Sequence, residues 1–159
     1  MGRIYYVTFG ATPVAVTAAQ DLFELDPATD KPVSLHWLKL GQTTELGDTA
    51  EEELHLSVIR GHATSGSGGA AGTIQKRDST DGTVGFAAEV NNTTIASTGT
   101  AAILDEDTWN VRVPYQWIWT PETRPLCNAG DGLIVVRLIA APADSVSMVG
   151  TLCVEENPG

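Results

Sequence analysis

The sequence predicts an all-β protein, a single β-sandwich, and three observations carry that prediction. The stretch WNVRVPYQWIW alternates strictly: Trp109, Val111, Val113, Tyr115, Trp117 and Trp119 hold the odd positions, and Asn110, Arg112, Pro114 and Gln116 stand between them. A period of two is that of a strand with one face in a core and the other in solvent. The pattern returns at Val146, Met148, Leu152 and Val154, set against Ser145, Ser147 and Thr151. No window shows a helical period.

The elements follow in order. Ile4–Phe9 (IYYVTF) is rich in aromatic and β-branched residues and predicts a strand. Gly10-Ala11-Thr12-Pro13 breaks it, and Val14–Thr17 begins a second short extended piece. Ala18–Leu25 reads either as a helical turn or as a kinked strand. Asp26–Pro32 is a turn segment by its Pro, Asp and Thr content. Val33–Leu40 (VSLHWLKL) has apolar residues on both faces, which places it inside a sheet or at a subunit contact. Glu45–Glu53 predicts an acidic loop, and Leu54–Ile59 a strand.

Gly61–Gly72 (GHATSGSGGAAG) is low in complexity and predicts a flexible surface loop, continued by Lys76–Gly82. Gly85–Val90 puts Phe86, Ala88 and Val90 on one face. Thr93–Ser97 and Thr100–Leu104 predict short extended pieces, and Asp105–Asp107 a turn. Pro114 cannot donate to a ladder, so the Trp109–Trp119 strand is an edge, bulged or split there. Thr120–Gly132 reads as a crossover loop. Gly132–Ala141 and Ser145–Glu155 then predict a closing strand pair. Eight or so strands with long loops suggest a jelly-roll-like sandwich with Greek-key connections. An immunoglobulin-like sandwich ranks second, since its Cys–Trp–Cys arrangement is missing.

A chain of 159 residues suits one domain, residues 1–159, large enough to bury a core without metal or disulfide support. The 20 acidic and 9 basic residues give a net charge of −11, and the basic ones are scattered; nucleic acid is therefore not an expected partner. Met1-Gly2-Arg3 shows no signal-peptide pattern, and the longest apolar run contains Arg137 and is too short to span a membrane. The expectation is synthesis in the cytoplasm, with no membrane partner. Cys127 and Cys153 cannot define a disulfide framework and are expected as buried thiols.

No catalytic, cofactor or metal constellation is legible. His36, His55 and His62 each stand alone in their segments, without the paired spacing of a cupin metal site. No serine sits in a GxSxG elbow, and Cys127 lacks the setting of an activated thiol. The glycine-rich stretch lacks the GK[ST] ending of a phosphate loop. The acidic run Asp105–Asp107 lacks EF-hand spacing. The aromatic residues are the remaining signal. Most of Trp109, Tyr115, Trp117 and Trp119 belong in a core, while Trp117 and Trp119 are placed for a subunit contact or, in an alternative reading with Tyr115, for stacking against sugar rings.

Four segments resemble a family of small proteins encoded by tailed bacteriophages: VTFGATPVAVTAAQDLFEL, DKPVSLHWLKLGQTTELGDTAEEELHLSVIRGHATSGSGG, AEVNNTTIASTGTAAIL and GLIVVRLIAAPADSVSMVGTLCVEE. The resemblance covers most of the chain, from about Tyr6 to Glu155, and brings no catalytic or ligand motif. It implies a non-enzymatic virion structural protein without cofactors. The type it suggests is a capsid decoration or cement protein, a homotrimer on the outer surface of the head that contacts the major capsid protein. A tail-associated or carbohydrate-binding adhesin is the alternative. On this reading Trp37, Trp117 and Trp119 are the expected protomer contacts. The N-terminal residues Gly2, Arg3, Ile4 and Tyr5 are the expected contacts to the shell.

Overall fold

The computed structural model describes residues 2–44 and 51–158. Part of the expected acidic loop, residues 45–50, lies outside the described residues. The strands are β1 (Arg3–Thr8), β2 (Val14–Val16), β3 (Gln20–Asp26), β4 (Val33–Gln42), β5 (Glu53–His62), β6 (Ala70–Ala71), β7 (Thr73–Lys76), β8 (Ala87–Asn92), β9 (Ala102–Asn110), β10 (Tyr115–Ile118), β11 (Leu126–Cys127), β12 (Leu133–Leu138) and β13 (Val146–Glu156). One 3-10 turn, Ala129–Asp131, precedes β12.

Two antiparallel sheets pack face to face. Sheet A runs β10-β4-β13-β1-β7, with β11 also on β4 and β2 on β13; sheet B runs β6-β8-β3-β12-β5-β9. Taking β1, β3, β4, β5, β9, β10, β12 and β13 as strands one to eight, the orders are 6-3-8-1 and 2-7-4-5. That is the jelly-roll connection, two interlocked Greek keys in one sandwich. The insertion between β5 and β9 supplies β6, β7 and β8, which widen both sheets on the side of β1 and β3.

Alternation fills the core from both sheets. Tyr5, Val7, Leu38, Leu40, Met148, Leu152 and Val154 face inward from sheet A, and Phe23, Leu25, Leu56, Val58, Ile134, Val136 and Leu138 from sheet B. Phe9 meets Phe23 with ring centroids 5.0 Å apart, and Tyr5 meets Phe86 edge-on at 5.7 Å. Each such side chain taken fully out of water contributes about 1.5–3 kcal/mol.

Bulges explain the segments that did not alternate. Across β13, Cys153 pairs with Trp37 and Val154 with Leu35, so His36 is an extra residue in β4. His36 and Trp37 therefore both face outward, while Leu35 and Leu38 both face the core. In β3 a second bulge skips Leu22 between the Asp21–Arg137 and Phe23–Val136 pairs, and Leu22 and Phe23 both become core residues. The ambiguous Ala18–Leu25 segment is thus a kinked strand.

Three expectations change, and the Trp109–Trp119 strand takes one of the forms expected at Pro114. The Trp109–Trp119 strand is split: β9 ends at Asn110, Val113 donates its N–H back to the Asn110 carbonyl, and β10 restarts in the other sheet. The split falls where Pro114 cannot join a ladder. Asp105–Asp107 is not a turn but the middle of β9, an edge strand where acidic side chains reach solvent. The last two strands do not pair with each other. β12 lies between β3 and β5, while β13 lies between β1 and β4, because the chain changes sheets at Pro142-Ala143-Asp144.

The Gly61–Gly72 segment, expected as a flexible loop, is hydrogen bonded along its course. Thr64 bridges to Ser97, Ser67 to Thr94, and β6 joins β8. Gly61 adopts φ +107, and a Cβ there would collide with the Thr100 carbonyl, so glycine is required for close approach.

These loops cover the outer face of sheet B. Arg137 Nε donates to Asp21 Oδ1 at 2.6 Å, and its Nη2 donates to the Ala96 carbonyl at 2.9 Å. The Ala96 N–H closes the ring by donating to Asp21 Oδ2 at 2.6 Å. Asp21 is wholly buried, so its charge depends on these partners. Ala96 also packs with Ile59, Leu133 and Val135 in a second apolar cluster. The apolar run Leu133–Val136 of β12 is thereby accounted for, with a core on each side. Arg137→Ala leaves Asp21 buried without its counter-charge, and urea unfolding is expected to show a loss of about 3–5 kcal/mol. A loss under about 1 kcal/mol would mean that the pair does not hold the loop down.

Candidate functional site

The outer face of sheet A is not covered by any described segment in the way that loops cover sheet B. Register sets a row across it: Tyr6 pairs with Cys153, Cys153 with Trp37, and Trp37 with Ile118. The rings of Tyr6 and Trp37 stand 5.8 Å apart over Cys153, which is only 3% exposed. Ile118 is 62% exposed, and Val149 and Leu126 add further exposed apolar surface on the same face. Beside the row, where Gly41 has no side chain, lies a hollow of about 340 Å³ lined by Thr8, Lys39, Val149 and Thr151.

Charged groups frame the row. The Lys39 ammonium lies 4.9 Å from the centre of the Trp37 ring, a cation–π contact. Glu155 is a hub: it accepts from the Gly2 N–H at 3.0 Å, pairs with His36 Nε2 at 2.7 Å and lies 3.6 Å from Arg124 Nη1. Arg77 follows β7, its N–H donating to the Ile4 carbonyl. Arg124 and Arg77 both lie near enough to act on the Cys153 thiol.

The residues expected as contacts divide. Trp37 and Ile4 face outward from sheet A, half-buried, and Arg3 is exposed at the corner. Gly2 is tied to Glu155 rather than free. Tyr5 is a core residue at 0% exposure whose hydroxyl donates to the Gly82 carbonyl, because β1 turns it inward. Trp117 and Trp119 are also buried, at 9% and 4%. They extend an aromatic ladder, Trp109–Tyr115–Trp117–Trp119, with centroids 6.3, 6.2 and 5.0 Å apart, that closes the gap between β9 and β10. Trp119 Nε1 donates to Asp105 Oδ2 at 2.8 Å, and the Tyr115 hydroxyl donates to Asp107 Oδ2 at 2.7 Å. Buried to this degree, the two tryptophan rings do not form an exposed platform on this chain.

Reasoning from sequence missed Tyr6, Ile118, Lys39, Arg77 and Arg124. Tyr6 and Ile118 were within reach, since each alternates with inward neighbours. The row that joins them depends on register between strands distant in sequence.

Two further polar clusters are hydrogen bonded among the described residues. Ser57 Oγ and His55 Nε2 both bond Glu106 Oε1, at 3.0 and 2.9 Å, so the carboxylate lies between them and the imidazole does not reach the hydroxyl. Glu24 and Glu89 share Ser65 and Asn92 as donors. Among the described residues, no three His, Cys, Asp or Glu side chains are grouped to hold a metal ion.

No protein-family model matches the chain, and no curated protein does. Among solved structures, the D431N mutant VP2 protein of infectious bursal disease virus, from derived T=1 particles, is similar at 14% identity and a TM-score of 0.21. That alignment covers 99% of this chain and 40% of the VP2 chain, so the protein spans well under half of its length. A score that low transfers nothing.

Both cysteines are free and buried. Burial pushes the Cys127 thiol up to about 12, with Asp131 adding to the rise. Burial likewise pushes Cys153 up to about 11, with Arg124 and Arg77 pulling it partly back. At pH 8 a thiol of pKa 11 is roughly one-thousandth thiolate, so neither cysteine is expected to react with a thiol reagent until denaturant is added. Rapid labelling of Cys153 in the native protein would show that the Tyr6–Trp37 cover opens. The sign of the pH dependence follows. In the unfolded chain these thiols ionise near their ordinary value of 9.0, while in the folded protein they stay protonated. Their contribution is intact below pH 9 and is lost as pH rises from about 9 toward 11–12, measurable as a falling midpoint in urea.

Proposed function

We propose that this protein is a non-enzymatic structural component of a tailed-bacteriophage virion, a capsid decoration protein that seats as a homotrimer on the outer surface of the head. One observation carries the reading. The jelly roll sets the half-buried rings of Tyr6 and Trp37 and the exposed Ile118, Leu126 and Val149 along one outer sheet face. Flat apolar surface rimmed by charge serves adhesion between proteins. The resemblance of its segments to small phage proteins supports the same reading, and so does the net charge of −11, which complements basic patches on a shell.

Its mechanism is adhesion repeated around a lattice. Each copy contributes modest contacts, and multivalency turns them into a clamp across neighbouring capsid subunits. Arg3 and Ile4, at the corner held by the Gly2–Glu155 bond, are the N-terminal residues available to the shell. The test is co-sedimentation of the purified protein with heads that lack decoration, followed by cryo-electron microscopy. Density at regular symmetry positions, weakened as salt rises toward 1 M, is the expected result. Heads that sediment bare at low salt overturn the decoration role.

A further inference from the structure

We propose that the outer face of sheet A binds the acidic β5/β9 edge of a second copy of this chain, so that copies join face to edge. The inference gives the trimer of the preceding section its contact surfaces, but it concerns the protein alone and needs no capsid.

Charge separates the two surfaces within one molecule. The sheet A face carries Lys39, Arg77 and Arg124 around Tyr6, Trp37 and Ile118, with Glu155 beside Arg124 and Asp78 beside Arg77 as the acids. This is a cationic, apolar surface on a chain with 20 acidic residues against 9 basic ones. At the margin of sheet B the balance is reversed. Glu51 and Glu53 lead into β5, and Asp105, Glu106 and Asp107 follow one another on β9, its edge neighbour. Ile103, 59% exposed, gives that acidic edge an apolar point of its own.

The same charges decide the symmetry. Two copies meeting face to face would set Lys39, Arg77 and Arg124 against their own counterparts, a like-charge juxtaposition that costs affinity. The face therefore takes a different surface of its partner, and the contact is heterologous. β9 and β10 are joined by a short turn and closed by the aromatic ladder, so the acidic edge and the cationic face lie on adjoining sides of the sandwich. A heterologous contact between adjoining sides turns each copy relative to the last, which suits a closed ring. Along β9, the bulge at Leu104 and the three acids discourage indiscriminate strand addition, leaving side-chain docking as the use of this edge.

The experiment is sedimentation velocity over a concentration series at low salt. It compares the intact chain, a face variant (Lys39→Ser with Arg77→Ser) and an edge variant (Glu51→Gln with Glu53→Gln). The intact chain is expected to assemble. Each variant should be monomeric where the intact chain is assembled, with dissociation constants raised tenfold or more. An equimolar mixture of the two variants should form a heterodimer and no larger species, because only one intact face and one intact edge remain to meet. Ile118→Glu is a second face variant should the first fail to fold, as judged by circular dichroism. An intact chain that stays monomeric overturns the proposal. So does an edge variant that assembles normally, or a mixture that stays monomeric. Phage heads are absent from the experiment, so its failure leaves head binding to be judged by co-sedimentation.

Discussion

Two sheets have four faces, and the described residues cover three of them. The inner faces cover each other, and the outer face of sheet B is roofed by the segments around Thr64–Ser67 and Thr94–Ser97. The roof rests on Asp21 and Arg137, directly opposed on β3 and β12 and tied to both backbone groups of Ala96. A buried charge pair adds little net stability beyond what an apolar pair would, yet either partner alone is costly. Its role here is positional: it fixes where the loop crosses the sheet. With that face roofed, the exposed apolar side chains Ile118, Leu126 and Val149 gather on the outer side of sheet A.

The bulges have a related consequence. Were the same sequence to alternate regularly from Leu35 with no bulge, Trp37 would point into the core and Leu38 out of it. The bulge sends Trp37 outward next to His36, where it meets Tyr6, covers Cys153 and receives Lys39. One inserted residue thus creates the aromatic part of the exposed face. It also places His36 on Glu155, the same carboxylate that holds the Gly2 amide, so the N-terminal corner and the aromatic row share one support.

The aromatic ladder is the counterpart at the other edge. Trp109 from β9 and Tyr115, Trp117 and Trp119 from the β10 segment fill the open side of the sandwich. Their polar atoms need partners where the interior ends, and Asp105 and Asp107 provide two of them. Burial and the Asp107 hydrogen bond both raise the Tyr115 pKa, as expected for a phenol donating to a carboxylate. The acids of β9 therefore serve twice, closing the core inside and charging the edge outside.

What the sequence determined by itself was the class of fold. Period-two alternation and the absence of a helical period are local properties, read without knowing any neighbour. They placed the strands of Ile4–Phe9, Val33–Leu40 and Ser145–Glu155 and made Leu152 and Val154 core residues. Aromatic content also marked Trp37 as a surface candidate, but it could not separate Trp37 from Trp117 and Trp119. All three are tryptophans in strand-like segments, and which one faces out depends on a bulge in one strand and a change of sheet before the other. The tertiary structure alone decided that the last two strands belong to opposite sheets, that the glycine-rich segment is a roof, and that scattered Lys39, Arg77 and Arg124 gather on one face. The physical reason is common to all of these. Pairing register and sheet assignment join residues far apart in the chain, and no local pattern encodes which distant strand will lie alongside.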